Sequence, residues 1–519
     1  MAIIDFFDRG WRQNPTGIAY VKGGREWTFN DAGTTSCHVA HALLRAGFAK
    51  ETKAAVLCPN DPVAWFCVLG IWRAGLAWVP LNPASPVPHN LHLLTGFDCE
   101  VLFFHSSLAD AVAELAPELP KVRQFVCIDA DLGPDLPSLA TWTAGTPNTS
   151  PAVAFDMDDV VAVTPTGGTT GLPKGAMNTH RTFAVCFAHL MMAFQYGAHE
   201  PIVNLVAAPM THAAGMMSMP ASARGGTVVI LEKPERVAVL DAIERHQVTE
   251  LFLPPTVIYR LLDTPGVADR DFSSLRYLMY AAAPMSVEKL RRAIDVFGPV
   301  LMECYGQVEA FAAISYLRPE EHFVDGQIAP EARLSSCGRP YPLISVAILD
   351  EDGRPVPTGG RGEICVRGDL VMKGYYNARD RTAETIVDGW LHTGDIGHLD
   401  DDGYLHITDR KKDLIISGGV NIYPQEIEQV VWSHPAVRDC VVIGVPDHEW
   451  GEAVKAVVEL NDGRQVSDSE LMALCKKQLG GVRAPKSVDF VATLPRSPNG
   501  KVLKREVREP YWAGRDSRV

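Results

Sequence analysis

The stretch Thr164-Pro-Thr-Gly-Gly-Thr-Thr-Gly-Leu-Pro-Lys174-Gly175 governs the reading of this chain. Gly167, Gly168 and Gly171 let backbone N–H groups come close to an anion. The hydroxyls of Thr164, Thr166, Thr169 and Thr170 and the ammonium of Lys174 add donors and positive charge. The segment therefore reads as a phosphate clamp. It follows the apolar, strand-like Val160–Val163, which argues against a plain glycine linker. It is not the common G-x-x-x-x-G-K-[ST] loop, because Lys174 is followed by Gly175 and not by a hydroxyl residue.

Outward from this loop, the chain has the make-up of a folded globular protein. Its 519 residues are 47% hydrophobic and 21% charged, long enough for two or more domains. A net charge of −14 and a pI near 5.6 exclude phosphate-backbone binding as the main task, since nucleic-acid sites need a basic face. An anionic substrate must be held by local donors. The eleven cysteines, Cys37, Cys58, Cys67, Cys304 and Cys440 among them, form no C-x-x-C pair and read as reduced thiols. The first eight residues lack a basic n-region and carry Asp5 and Asp8, and the last four, Asp516-Ser-Arg-Val519, are no peroxisomal signal. The expected location is the cytoplasm. The longest apolar stretch, 63–81, is broken by Arg73, Gly70, Gly75 and Pro80, so no membrane span is expected there.

Lys53–Cys58 reads as a buried strand, and Asp61-Pro62 as the N-cap and first residue of a helix reaching about Ala74. Leu76–Leu81 then returns as a strand, completing a βαβ unit. The alternation recurs at Val248–Leu253 with Thr256–Leu262, and at Arg276–Tyr280 with Ser286–Phe297, which predicts parallel sheets flanked by helices. Residues 129–151, rich in Pro, Thr and Ser, read as a surface connection. Beyond Asp409 the texture changes to short strands at Cys440–Val445 and Ala453–Glu459, a helix opened by Pro424, and a capping box at Ser467–Glu470. This predicts a separate α+β unit of about a hundred residues.

Downstream of the loop stand Tyr305-Gly-Gln-Val-Glu309, Thr393-Gly-Asp395, Asp409-Arg-Lys-Lys-Asp413, Ser417-Gly-Gly-Val-Asn421 and Pro495-Arg-Ser-Pro-Asn-Gly-Lys501. In this order and spacing, over nearly the whole chain, they resemble the AMP-forming adenylating superfamily of acyl- and aryl-CoA synthetases, peptide-synthetase adenylation domains and beetle luciferases. The resemblance implies an α/β fold: a large N-terminal domain of stacked α/β sheets with a distorted β-barrel, residues 1–411, and a small mobile α+β C-terminal domain, residues 412–519, with the hinge at Lys412.

The resemblance also implies roles. Thr166, Gly167, Gly168, Thr169, Thr170, Gly171 and Lys174 would hold the ATP phosphates. Ala282 would belong to the nucleotide site, Tyr305 would lie against adenine, and Asp395 and Arg410 at the ribose. Glu309 would hold Mg²⁺, a hard cation that takes oxygen ligands. Val308 stands where relatives commonly have threonine. Lys501 would bridge the substrate carboxylate and the α-phosphate, offsetting charge that builds in the transition state. Gly418 and Gly419 would line the pantetheine path of CoA, although a hairpin turn would use the same glycines.

For the acyl pocket, His212 matches a gating position near the carboxylate, while a histidine in apolar company is also commonly a core residue. Met216, Ala283 and Cys304 are the other candidate lining residues, and the methionines equally suit a plain core. Met210, Thr211 and His212 offer no carboxylate for a substrate amine, so the implied substrate lacks an α-amino group. Cys304, and the run Ala281-Ala-Ala-Pro284, add volume that favours an aryl, aryl-alkanoic or medium-chain acid. The expected activity is an ATP-dependent acid–CoA ligase using ATP, Mg²⁺ and CoA, with no nucleic-acid partner and a homodimer as an admissible assembly. The alternatives are an acyl-AMP ligase that loads a carrier protein, and a non-catalytic nucleotide-binding homologue.

Overall fold

A computed structural model describes residues 1–166, 173–496 and 502–513, with the side chain of His212 outside the description. The predicted βαβ unit forms as the sequence requires. Strand Lys53–Leu57 leads to helix Pro62–Arg73, whose N-cap Asp61 accepts the Val63 N–H at 2.8 Å, and strand Ala77–Pro80 returns parallel to the first. The helix is apolar all round because both its faces are covered. Trp65 and Trp72 on it and Trp78 on the following strand are fully buried and meet edge to face, with centroids 5.6, 5.8 and 5.9 Å apart. Each buried indole contributes of order 2–3 kcal/mol of burial, and the edge-to-face contacts add about 1 kcal/mol each.

Two large sheets are built from such units. One has seven strands, running in space from Gly374–Tyr375 through Lys174–Thr179, Val160–Thr166, Ala77–Pro80, Lys53–Leu57 and Cys99–Phe104 to Gln124–Cys127. The other has nine, with parallel strands at its centre that include Glu250–Leu253, Tyr277–Ala281 and Leu301–Gln307 side by side. Helices Pro255–Leu262 and Val287–Phe297 follow the first two of these, in line with the alternation in the sequence. A third sheet has five antiparallel strands. In it, Trp390–Leu399, ten residues long, pairs with Gly362–Arg367, Ile386–Val387 and Leu405–Arg410, and Ser345–Leu349 forms an edge.

After Lys412 a further five-stranded sheet forms. Its longest strands, Val437–Asp447 and Gly451–Leu460, pair antiparallel, and helices Pro424–Trp432, Asp468–Leu479 and Lys504–Trp512 accompany them. Ser467 caps the second helix by accepting the Glu470 N–H. This unit has its own apolar core around Ile427, Val431, Val442 and Val458. The stretch 129–151 is not wholly irregular: Ser138 accepts the Thr141 N–H and starts the short helix Leu139–Thr143. All eleven cysteines are free and buried. Among the described residues no helix is long and apolar enough to cross a membrane.

Candidate active site

The phosphate-clamp segment joins two antiparallel strands. Thr166 ends one and Lys174 begins the other, directly opposite each other. Gly167, Gly168, Thr169, Thr170 and Gly171 lie outside the described residues, as does Lys501. What the structure fixes is the frame on which the loop is mounted. Lys174 Nζ sits over the ring of Tyr375 at 4.8 Å, and the Tyr375 hydroxyl donates to Glu309 Oε1 at 2.7 Å. Lys174 and Glu309, far apart in sequence, thus share one aromatic neighbour. Val308 packs with Ala176, Met372 and Tyr375 in a small apolar cluster on this side.

A second group forms around Asp395, 3% exposed. Tyr305 donates its hydroxyl to Asp395 Oδ2 at 2.6 Å, and Arg410 Nε meets Oδ1 at 3.1 Å. The geometry follows from register: Asp395 and Arg410 stand directly opposite each other on antiparallel strands, so their side chains share a face. The Asp395 N–H is held by Thr393 Oγ1 at 3.1 Å, and that hydroxyl donates to the Ile364 carbonyl. Burial, with the Asp395 charge next, pushes the Tyr305 hydroxyl far above its ordinary range, so it stays protonated at neutral pH and can donate to Asp395. Asp395 is also the main reason the Arg410 guanidinium is held charged more firmly than usual. A carboxylate offers about four lone-pair positions, so two acceptor sites remain on Asp395 for hydroxyls of a ligand.

Lys412 lies within electrostatic reach of both Asp395 and Glu309, while burial and then the Arg410 charge lower its pKa. Ala282 follows strand Tyr277–Ala281, which pairs with the strand carrying Tyr305, so its loop is at the C-terminal edge beside that ring. Its φ is +71°, a left-handed conformation that costs an alanine about 1–2 kcal/mol and is typical of functional loops. Gly418 and Gly419 make the turn between strands Ile415–Ser417 and Val420–Ile422, with φ of +57° and +79°. A side chain on Gly418 would strike Trp450 at 2.5 Å, whereas a Cβ on Gly419 meets nothing within 4 Å.

On the acyl side, His212 belongs to the wide turn Met210–Ala214 that leads into helix Gly215–Ala223. Met216, 1% exposed, and Cys304, 3% exposed, belong to one continuous apolar core, and Ala283 is half-buried after the Ala282 turn. Cys304 Sγ donates to the Ala312 carbonyl at 2.7 Å, and burial pushes its thiol up to about 12.

Sequence reasoning passes over three features here. Tyr375 is one; the run Lys373-Gly-Tyr-Tyr-Asn377 is its only local signal. Glu363 is another: it accepts the Gly394 N–H at 3.0 Å and contacts the His392 ring and Lys411. Its burial works to raise the pKa, but those three partners outweigh it and hold the carboxyl below its ordinary value. The third is a three-ring stack beside Cys304, with Tyr341 between His189 at 4.5 Å and Tyr316 at 4.0 Å. His189 Nδ1 bonds the Ala313 carbonyl and Nε2 accepts the Leu343 N–H, so the ring is neutral, with its pKa lowered by burial to about 4.

Similarity to known proteins identifies the family. The profile of the AMP-binding enzyme family matches residues 7–376, and that of the AMP-binding enzyme C-terminal domain matches residues 426–501. The chain belongs to the AMP-binding enzyme family. It is 36% identical over 502 residues to a feruloyl-CoA synthase from Amycolatopsis sp, covering 96% of this chain and 97% of that protein. It is 41% identical over 373 residues to a medium/long-chain-fatty-acid–CoA ligase from Mycobacterium tuberculosis, covering 70% of this chain and 64% of that one. Among solved structures it is similar to MatB from Rhodopseudomonas palustris, at 28% identity. The ATP-bound form fits with a TM-score of 0.89 over 99% of both chains, and the apo form with 0.78 over 98% and 99%.

Proposed function

We propose that this protein is an acid–CoA ligase that forms an acyl-adenylate from ATP and a carboxylic acid without an α-amino group, then transfers the acyl group to CoA. The observation that carries the proposal is the buried Asp395 carboxylate, gripped by Tyr305 and Arg410, with Lys412 within electrostatic reach of it and of Glu309, which Tyr375 holds beside Lys174. Tyr305 and Ala282 flank the base, Asp395 and Arg410 take the ribose hydroxyls, and Thr166 and Lys174 face the phosphates. Glu309 would hold a magnesium ion. Magnesium commonly takes only one or two protein carboxylates and completes its shell from substrate and water. When bound, such an ion neutralises phosphate charge.

In the first step a carboxylate oxygen attacks the α-phosphorus, the bond to the bridging oxygen breaks, and pyrophosphate leaves. Lys501 would offset the repulsion between the two anions. In the second the CoA thiol, having given up its proton, attacks the acyl carbonyl and AMP departs. Between the steps the domain beyond Lys412 turns relative to residues 1–411 and brings Gly418 and Gly419 to the acyl carbon. The better fit to ATP-bound than to apo MatB supports reading the present orientation as the adenylating one. The feruloyl and fatty-acid relatives, together with the packed core around Met216 and Cys304, favour an aryl or medium-chain acid.

The test is AMP release with a panel of carboxylic acids, with and without CoA. Turnover with aryl or medium-chain acids that rises on adding CoA is the expected result. Adenylate accumulation indifferent to CoA would instead favour a carrier-protein acceptor, and no AMP with any acid would end the proposal. The role of Gly419 has its own check. Gly419→Trp should leave ATP–pyrophosphate exchange near wild type and raise the KM for CoA at least tenfold, because the indole fills space now open. Gly419→Ala carries the same left-handed backbone strain without the bulk and separates the two causes. Normal CoA kinetics in the Trp variant would remove Gly419 from the pantetheine path.

A further inference from the structure

Helix Pro424–Trp432 begins the helical layer of the small domain, yet its N-cap residue, Tyr423, makes no side-chain cap bond. The acceptor comes from outside the helix's own segment. Asp409 Oδ2 takes the Gln425 N–H at 2.8 Å, while Oδ1 takes the Arg410 N–H at 2.7 Å. Asp409 is 4% exposed and stands on strand Leu405–Arg410, on the large-domain side of Lys412. A carboxylate at this position satisfies an orphan N–H and faces the positive end of the helix dipole.

A second attraction reaches the same carboxylate, from Lys504. Lys504, the first residue of helix Lys504–Trp512 and three residues after Lys501, pairs with Glu428 Oε1 at 2.8 Å. Glu428 is itself 4% exposed and accepts the Val442 N–H at 2.8 Å. Burial disfavours the Lys504 ammonium, but the carboxylates of Glu428, Asp409 and Asp413 outweigh it and hold the charge in place. Glu428 and Lys504 both lie beyond Lys412 and travel together. Asp409 stays behind. Its hold on Gln425 and its attraction to Lys504 therefore exist only in the present orientation of the two domains.

We propose that Asp409 is a positioning residue for the adenylation step, holding the small domain, through the start of helix Pro424–Trp432 and through Lys504, where Lys501 reaches the nucleotide. The proposal rests on the acid–CoA ligase reading and on Lys412 as the pivot. Asp409 touches no reacting atom; it selects the domain orientation in which the reaction runs. Rotation to the thioester-forming orientation strips the helix of its cap, so the second orientation begins with a weaker grip on its own first turn.

Two variants separate the contributions. Asp409→Ala removes both the cap and the charge, and Asp409→Asn keeps an acceptor for Gln425 while losing the attraction for Lys504. Three quantities are measured in the full chain: ATP–pyrophosphate exchange, thioester formation from supplied acyl-adenylate, and the rate of tryptic cleavage after Lys411 and Lys412. In Asp409→Ala, exchange should fall by about fivefold to tenfold, the size of one lost helix cap. Thioester formation should hold or rise, and hinge cleavage should accelerate by a similar factor. Asp409→Asn should fall between the alanine variant and wild type. Equal loss in both half-reactions, or exchange and cleavage both unchanged, overturns the proposal. Should the wild type activate no acid, the ligase reading fails on that ground alone, and the cleavage rate still decides for or against Asp409 as the latch.

Discussion

Lys501→Ala is expected to slow acyl-adenylate formation by about 10²–10³-fold, the range for deleting one preorganised group aimed at developing transition-state charge. Thioester formation from supplied acyl-adenylate should stay near the wild-type rate. The asymmetry follows from electrostatics. Two anions must meet in the first step, the carboxylate and the α-phosphate, and a single ammonium between them screens a repulsion that the second step does not contain. The described flanks show how such a lysine is presented. Arg496 and Val502 pair as a bridge, the Leu503 N–H bonds the Pro495 carbonyl at 2.9 Å, and Arg496 is tied to Asp439 at 2.7 Å. The described residues on either side of positions 497–501 are thus tied to one another and to Asp439. Rapid-quench measurement of each half-reaction decides the matter, and a matching loss in both would take the role away from Lys501.

Asp395→Asn should have the second-largest effect. An amide is neutral, so the Arg410 guanidinium loses its counter-charge, and where the NH2 faces the Tyr305 hydroxyl two donors confront each other. Removing one partner of a fully buried pair costs about 3–5 kcal/mol; because the Arg410 side chain is 38% exposed, solvent screening reduces this to about 2 kcal/mol of folding stability. Nucleotide binding should suffer more than stability, with the rise in melting temperature on adding ATP largely lost and exchange lowered about a hundredfold, in the range set by an unpaired buried group at a polar recognition site. Differential scanning calorimetry with and without ATP separates the two effects. An ATP-induced shift equal to that of the wild type would show that the nucleotide is held elsewhere.

Much of this architecture is legible in the amino-acid sequence itself. Asp61-Pro62 announces a helix start, and the runs at 54–57, 160–163 and 440–445 are apolar enough to be read as strands. The paired motifs around Asp395 and Arg410 are written in local sequence. Their face-to-face register is not: it depends on the turn at Asp400–Gly403 and on a register irregularity between Ile396 and Gly397. Tyr375 is hidden for a related reason. It meets Glu309 across 66 positions, through strand Gly374–Tyr375 pairing at the edge of the other large sheet, and no local period encodes that contact. Asp409 is visible only as the first letter of a motif, because its partner Gln425 belongs to a helix that folds against it from the other side of the hinge. The residues chosen for the acyl pocket show the opposite limit. Met216 and Cys304 have the composition of a lining and the surroundings of a packed core, and hydrophobicity alone does not distinguish the two.

Strand Leu405–Arg410 carries neighbouring residues with opposite outlooks. Arg410 shares a face with Asp395, and Asp409 is directed to the other face, toward Gln425. Alternation along an extended chain makes this arrangement intolerant of a change in length. One residue added or deleted within the strand would exchange the two aspects, turning a guanidinium against a helix start and an acid toward the ribose contact. Substitutions here can be graded, but an insertion is all-or-none, so lengthening of this region during divergence is confined to the turns on either side.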